Sequence, residues 1–399
     1  MLLATELTIS FVVSALVLRA LYPWASRLGL LDHPSERRKI HSDATPLIGG
    51  IAIFCGFLVC SVICLPWEAC RVCGALGAAI LVVVGVVDDR YQLGHHIRFL
   101  AQIAAALLLT LGVGVHLESL GDLLGLGEIH LSYLATPITV FAIVGIINAF
   151  NMIDGIDGLA AGLALSALTP LLLIMPQGQS HTHFLVLALI AATVPYLVCN
   201  LELCCCKGRK VFLGDAGSML LGYVVVWALI EVSQNQHAIR PVTALWLVAI
   251  PLMDTFSVMG RRVLSRRSPF SADRGHLHHV LSRLLGSPRR ALFPMLLSAV
   301  ALAALGSPRR DSRAERGGHV LQRSSRVRAL RFLPAQSTAS LQLGDSAPPA
   351  LGRRGCLRRA NGQLSTSSRP VKRCAALVLD PDAAPTGRSR RSEPAAAGI

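Results

Sequence analysis

Four polar residues at three-residue spacing, Asn148, Asn151, Asp154 and Asp157, stand between two long apolar runs of a 399-residue chain. Ionisable groups at the edge of a bilayer-spanning segment are costly to keep there and mark a functional site by default. On an unbroken helix this spacing would line all four along one side. Gly155 and Gly158 instead predict a break between two helices, with Asp157 a candidate N-cap of the second. Capping accounts for Asp157 and leaves the other three unexplained.

Other stretches carry matching chemistry. Gly85-Val86-Val87-Asp88-Asp89-Arg90 closes an apolar run with adjacent carboxylates. Neighbouring helical residues point about 100° apart, so the two acids have different jobs: one orients a metal or accepts a proton, the other is held by a cation such as Arg90 or Arg98. Phe212-Leu213-Gly214-Asp215-Ala216-Gly217-Ser218 places a carboxylate between glycines where a helix begins, and the amides of a helix N-terminus suit phosphate. Magnesium characteristically takes one or two carboxylates together with substrate phosphates and water, a role that fits Asp215.

Asp273-Arg274-Gly275-His276-Leu277-His278-His279 lies in the most basic loop of the body. With no cysteine or carboxylate at zinc spacing, an anionic diphosphate is a better ligand for Arg274, His276, His278 and His279 than a soft metal. The first loop runs from Asp32 through Arg37-Arg38-Lys39-Ile40-His41 and Thr45 to Gly49-Gly50. Bases followed by a glycine pair opening a helix again suit phosphate, with Lys39 and Thr45 as candidates.

The elements that must position these groups are membrane helices. The chain is 53% apolar and only 15% charged, which reads as an all-α polytopic integral membrane protein. A span needs about 20 mostly apolar residues. Ten candidates are centred near residues 13, 56, 79, 107, 139, 166, 189, 222, 250 and 298, the last of them short. If the helices alternate in direction, the loops on one side hold 18 Lys/Arg and those on the other only Arg71 and Arg240. The positive-inside rule makes the first side cytoplasmic and puts the N-terminus outside. Every conspicuous motif falls on the cytoplasmic side, predicting one shared site in the cytoplasmic loops. An ion-coupled transporter, with acids at mid-membrane and internal repeats, fits this placement poorly.

The formal charge of +15 belongs mostly to residues 306–399, which hold 18 Lys/Arg against 6 Asp/Glu. A basic balance confined to a tail gives no reason to expect nucleic acid as a partner. That segment, rich in Arg, Ala, Ser and Pro, lacks periodicity and reads as disordered, apart from a catalytic domain at 1–305. A shifted reading frame and a basic tail that binds anionic lipid are the two readings of it. Of the eleven cysteines, Cys55, Cys60, Cys64 and Cys199 fall in or beside apolar runs, and neither Cys70-x-x-Cys73 nor Cys204-Cys205-Cys206 has a second ligand pair at zinc spacing. The triple cysteine is a candidate for lipidation. The N-terminus lacks the basic region of a cleaved signal peptide, so the first apolar run is expected to remain as a helix.

Taken together, Asp88-Asp89, then Asn148-x-x-Asn151-x-x-Asp154-Gly155-x-Asp157-Gly158-Leu159, then Gly214-Asp215-x-Gly217-Ser218, resemble the polyprenyl-phosphate N-acetylhexosamine-1-phosphate transferases over about residues 1–305. Pro269-Phe270-Ser271 followed by Asp273-Arg274-x-His276-x-His278-His279 is more similar to the branch using UDP-N-acetylglucosamine (UDP-GlcNAc) than to the UDP-MurNAc-pentapeptide branch, whose three consecutive histidines are interrupted here by Leu277. The resemblance implies transfer of a sugar-1-phosphate from a UDP-N-acetylhexosamine to undecaprenyl phosphate at the bacterial inner membrane, with release of UMP. Such a step starts lipid-linked envelope glycans such as O-antigen.

Asp88 is then expected to deprotonate the lipid phosphate, or less readily to act as a nucleophile, with Asp89 supporting it. Asp215 would hold Mg2+, or Mn2+ in its place. Asn151, Asp154, Asp157 and the histidines would bind the nucleotide diphosphate. The lipid bilayer is the setting, and a second copy of the chain is a candidate partner. Two departures stand out: relatives continue with a further apolar helix where this chain enters its Arg-rich tail, and a lysine is expected near His96.

Overall fold

A computed structural model of the chain describes residues 2–32, 44–64, 69–122, 127–175, 181–203, 206–266 and 275–306. All belong to the first of two units, Met1–His319; the second, Val320–Ile399, falls wholly outside them, as do Lys39, Arg274 and the 269–274 stretch.

The described residues are almost entirely helical. After α1 (Leu2–Leu21) and the single turn α2 (Ala25–Leu28), a two-residue ribbon pairs β1 (Leu31–Asp32) antiparallel with β2 (Thr45–Pro46). There follow α3 (Gly49–Cys64), α4 (Ala69–Tyr91), α5 (His95–Leu107), α6 (Ala135–Ile153), α7 (Leu159–Ile174), α8 (His181–Asn200) and α9 (Gly214–Ile230). The last four are α10 (Pro241–Leu247), α11 (Ala249–Leu264), α12 (Leu277–Leu285) and α13 (Pro288–Gly306). Helix α5 runs on through a π-turn at Leu108–Val113, and α9 through another at Glu231–Asn235.

Apolar helical segments stand at all ten places that hydropathy marks, but length supports fewer crossings. Among the described residues seven helices are long and apolar enough to span, and an eighth if α10 and α11, bent by 77° at Val248, make one broken span. Helices α3 and α7, of 16 residues each, are about 24 Å long at 1.5 Å per residue, short of a hydrocarbon core of about 30 Å. The expected count of ten is therefore reached only by including them.

Helix α9 is the axis of the fold. It is apolar on every side and, from Ala216 to Ile230, buried on every side, as such a helix must be. Its neighbours come close because the contacts are made by small residues, the packing on which membrane helices rely. A Cβ on Gly50 of α3 would strike the Gly217 backbone, one on Gly85 of α4 the Ala216 backbone, and one on Gly222 would lie 2.8 Å from the Ile147 Cα of α6. On the flank, α1 is tied to α8 by Ser10 Oγ donating to Ala188 O at 2.6 Å and Ser14 Oγ to Ala192 O at 2.7 Å.

The glycine pair that opens α3 is part of this packing. Gly49 N–H and Gly50 N–H donate to Phe212 O and Leu213 O at 3.0 and 2.9 Å, so the amides expected to meet a phosphate are used to seat α3 on the segment leading into α9.

Candidate active site

At one end of the bundle the C-terminal ends of α4, α6 and α8 meet the N-terminal ends of α5, α9 and α13 around a cavity of about 760 Å³. Because successive helices run in opposite senses, motifs far apart in the chain arrive together. The wall includes Asp88, Asp89, Arg98, Asn151, Asp154, Asp157, Lys210, Asp215 and His279.

Arg98, from the first turn of α5, is the centre of the acidic cluster. Its Nη1 lies 3.0 Å from Asp88 Oδ2 and 3.1 Å from Asp215 Oδ2, so one guanidinium nitrogen joins the two carboxylates. The other oxygen of Asp215 accepts from Asn151 Nδ2 at 2.8 Å, and the same amide donates to Ser218 Oγ at 2.9 Å. Asp88, 5% exposed, faces the cluster while its helical neighbour points elsewhere, as a rotation of about 100° requires.

Asp89 turns to the start of α9. Its Oδ1 accepts the Asp215 N–H at 2.9 Å, doing from another helix what a capping side chain does locally. The amide that the sequence offers to phosphate at Asp215 is thus already taken, by a carboxylate 126 residues away in the chain. Gly214, with φ +71°, supplies the left-handed turn into α9, and a side chain there would overlap the Asp89 carboxylate. Asp89 Oδ2 is buried and has no hydrogen-bond partner among the described residues.

The chain breaks at the predicted glycines. Helix α6 ends at Ile153, Asp154 follows outside helical geometry (φ −72°, ψ 68°), and Gly158 at φ +73° turns the chain into α7. Asp157 is not the N-cap of α7; Gly158 holds that position, and Asp157 Oδ2 pairs with Lys210 Nζ at 2.7 Å. Asp154 lies in the wall between, and its removal from water, together with the nearby charges of Asp215 and Asp157, pushes its carboxyl up to about 8. Asn148, a turn earlier, stays out of the cavity and exchanges amide hydrogen bonds with Gln102 of α5, the shorter at 2.6 Å.

Of the three histidines only His279 lines the cavity. His276 is buried and its Nδ1 lies 2.8 Å from Asp254 Oδ2, while His278, 2% exposed, packs against Gly155. Burial and the neighbouring His279 and His276 depress the His278 pKa to about 4, so this ring is neutral. Of the three histidines expected to aid diphosphate binding, His279 thus reaches the cavity wall, while His276 and His278 are buried beside it. Thr45, 4% exposed in β2, does not line the cavity either.

Sequence reasoning missed Lys210, Tyr196 and Asn200 in the cavity wall and Asp254 behind it. Asp254 carries a usable signal, an acid within the apolar stretch Pro251-Leu252-Met253-Asp254-Thr255. Lys210 reads as one more topology-setting base until the fold brings it to Asp157.

The family model described as "Glycosyl transferase family 4" matches residues 72–233. A Yersinia pestis protein named undecaprenyl-phosphate alpha-N-acetylglucosaminyl 1-phosphate transferase is 38% identical over 312 residues, covering 76% of this chain and 83% of its own length. The chain belongs to glycosyl transferase family 4. Proteins of the same name from Salmonella typhi, 38% identical over 292 residues (71% of this chain, 77% of theirs), and Escherichia coli K12, 37% over 307 residues (76% and 83%), match as well. The segment matched by the family 4 model runs from α4 to the π-turn after α9 and contains five of the cavity's aspartates. The histidine turn lies beyond it, brought to the cavity by α11 and α12.

Proposed function

We propose that this family 4 enzyme transfers GlcNAc-1-phosphate from UDP-GlcNAc to undecaprenyl phosphate, releasing UMP. The observation that carries the reading is the cavity in which Arg98 joins Asp88 to Asp215 while Asn151 holds the far side of Asp215. The names of the relatives supply the substrates. In the reaction a lipid phosphate oxygen attacks the sugar-bearing phosphorus of the donor, forming the new P–O–P bridge as the bond to UMP breaks. Such a step asks a protein mainly for positioning and for neutralising charge.

The charge of the wall favours a divalent cation. Six aspartates line the cavity against the permanent cations Arg98, Lys210 and Arg289, and the burial and crowding that push the Asp154 carboxyl toward its neutral form are what a divalent cation would relieve. The donor set also fits: Asp215 is partly open at the cavity, and Asp89 Oδ2 is a buried carboxylate oxygen without a partner among the described residues. Magnesium keeps several waters and takes substrate phosphates, so one or two carboxylates of the protein suffice to hold it. Asp215 with Asp89 would hold it, and when bound it neutralises charge on the diphosphate.

The chain's own groups divide the remaining work. Asp88 takes the proton from the lipid phosphate, and Arg98, released from the carboxylates, binds the phosphate that arrives. Asn151 keeps Asp215 oriented. Asp154, Asp157, Lys210 and His279 hold the donor. A water-soluble nucleotide and a membrane lipid meet at this end of the bundle; we take it to face the cytoplasm of a bacterial inner membrane, with the N-terminus outside, a reading supported by the excess of basic residues in its loops.

The test is purified protein with undecaprenyl phosphate, Mg2+ and labelled UDP-GlcNAc, followed for UMP and labelled lipid, with UDP-GalNAc in parallel. Absence of both products with every sugar sinks the reading; faster turnover of UDP-GalNAc corrects the sugar alone.

A further inference from the structure

Helix α11 carries a carboxylate for which the proposed reaction has no use. Asp254 is 5% exposed and does not line the cavity, yet both of its oxygens are engaged by the segment opening α12. Oδ2 lies 2.8 Å from His276 Nδ1, and Oδ1 accepts the Leu277 N–H at 2.7 Å. His276 is the N-cap of α12 and makes no side-chain capping bond of its own, so the carboxylate of another helix holds this terminus. Arg261, two turns further along α11, donates to Gly275 O and so also holds this segment. An acid in an apolar helix is costly to maintain, and two short hydrogen bonds to one turn indicate what it is kept for.

That turn reaches the cavity by two routes. His276 stacks on His278 with ring centres 5.5 Å apart and planes 15° from parallel, and His278 meets His279 at 4.2 Å. His279 lines the cavity itself. His278 packs so closely on Gly155 that a Cβ there would overlap its Nε2, and Gly155 lies between Asp154 and Asp157 in the wall.

We infer that Asp254 is a positioning residue: by gripping His276 and the Leu277 amide it fixes the histidine turn and, through His278 on Gly155, the shape of the 154–157 loop that receives the donor. The identity of that donor rests on the proposed function; the mechanical link from Asp254 to the loop does not.

The experiment compares wild type with Asp254→Asn, which keeps an acceptor for Leu277 N–H but loses the charge and the acceptor for His276. The KM for UDP-GlcNAc rises about tenfold, the scale of one hydrogen bond to a charged group, while the KM for undecaprenyl phosphate stays within about twofold. Asp254→Glu recovers part of the loss. Pairing Asp254→Asn with His276→Gln adds little to either alone, since both break the same link. A fall in kcat with both KM values unchanged is what loss of folded enzyme alone produces, and it overturns the inference.

Hydrogen exchange of the 153–158 backbone, followed without substrates, rises in Asp254→Asn; unchanged exchange there also overturns it. If Asp254→Asn fails to fold, His276→Gln alone gives the same two readouts. A wild type that takes no UDP-GlcNAc, with loop exchange still raised in the variant, removes the donor assignment and leaves the positioning role standing.

Discussion

Arg98 holds two carboxylates with one nitrogen, so its loss releases both at once. Arg98→Ala leaves Asp88 buried without its cation and is expected to lower kcat by about a hundredfold or more, the scale of removing one preorganised charge-stabilising group. Arg98→Lys, a point charge without the planar fork, should recover only part of the rate in the labelled-lipid assay; full recovery would mean the fork is not needed. Two displaced pKa values give pH signatures of opposite sign. His278, depressed to about 4 from 6.5, stays neutral in the folded protein while the unfolded chain takes up a proton. Its stabilising contribution is complete above 6.5 and lost as pH falls through about 4, a difference on the order of 3 kcal/mol at most. His278→Gln should flatten the fall in melting temperature between pH 7 and pH 4.5; an unchanged slope refutes this. Asp154, raised to about 8, contributes stability below its ordinary 3.8 that is lost as pH rises through about 8. A divalent cation in the cavity favours the carboxylate, so Mg2+ uptake at pH 7 should expel protons, seen by calorimetry in two buffers of different ionisation enthalpy. Buffer-independent heats would show that the cation binds away from Asp154.

At the scale of elements, the site depends on how closely α3 and α4 approach α9. Gly85 is three residues before Asp88 and rests on the Ala216 backbone, so the contact that packs α4 on α9 also brings Asp88 to Asp215. Gly85→Ala forces the helices apart at a cost of about 1–3 kcal/mol and carries both acids away from Asp215. Its melting temperature should fall by several degrees and its activity by more than that loss of stability explains. Gly145→Ala, where a Cβ meets nothing within 4 Å, is the control and should leave both unchanged or slightly raise stability. Equal activity in the two variants would mean that close α4–α9 contact does not set the catalytic geometry.

At the scale of the molecule, every described site residue lies in the unit Met1–His319. A chain ended after His319 should keep its transferase activity within about twofold; loss of activity in correctly inserted protein would give residues 320–399 a role. What the sequence reveals about this molecule follows from what is local. The ten apolar segments, the break at Gly155 and Gly158, and the divergence of Asp88 from Asp89 follow from period and from the cost of charge in an apolar setting. What it hides is pairing across distance: Asp89 capping α9, Gly49 and Gly50 spending their amides on Phe212 and Leu213, Lys210 meeting Asp157, and Asp254 holding His276. In each case the residue type is visible in the chain and its partner is set by the fold. One consequence of the shared cavity concerns synthesis. Its wall begins at Asp32 and ends at Arg289, on the first turn of α13. A nascent chain emerging from the ribosome therefore has no complete site until nearly the whole helical body has entered the membrane. Partly inserted chains are therefore expected to be inactive, and damage to one late helix should remove activity and leave no working fragment.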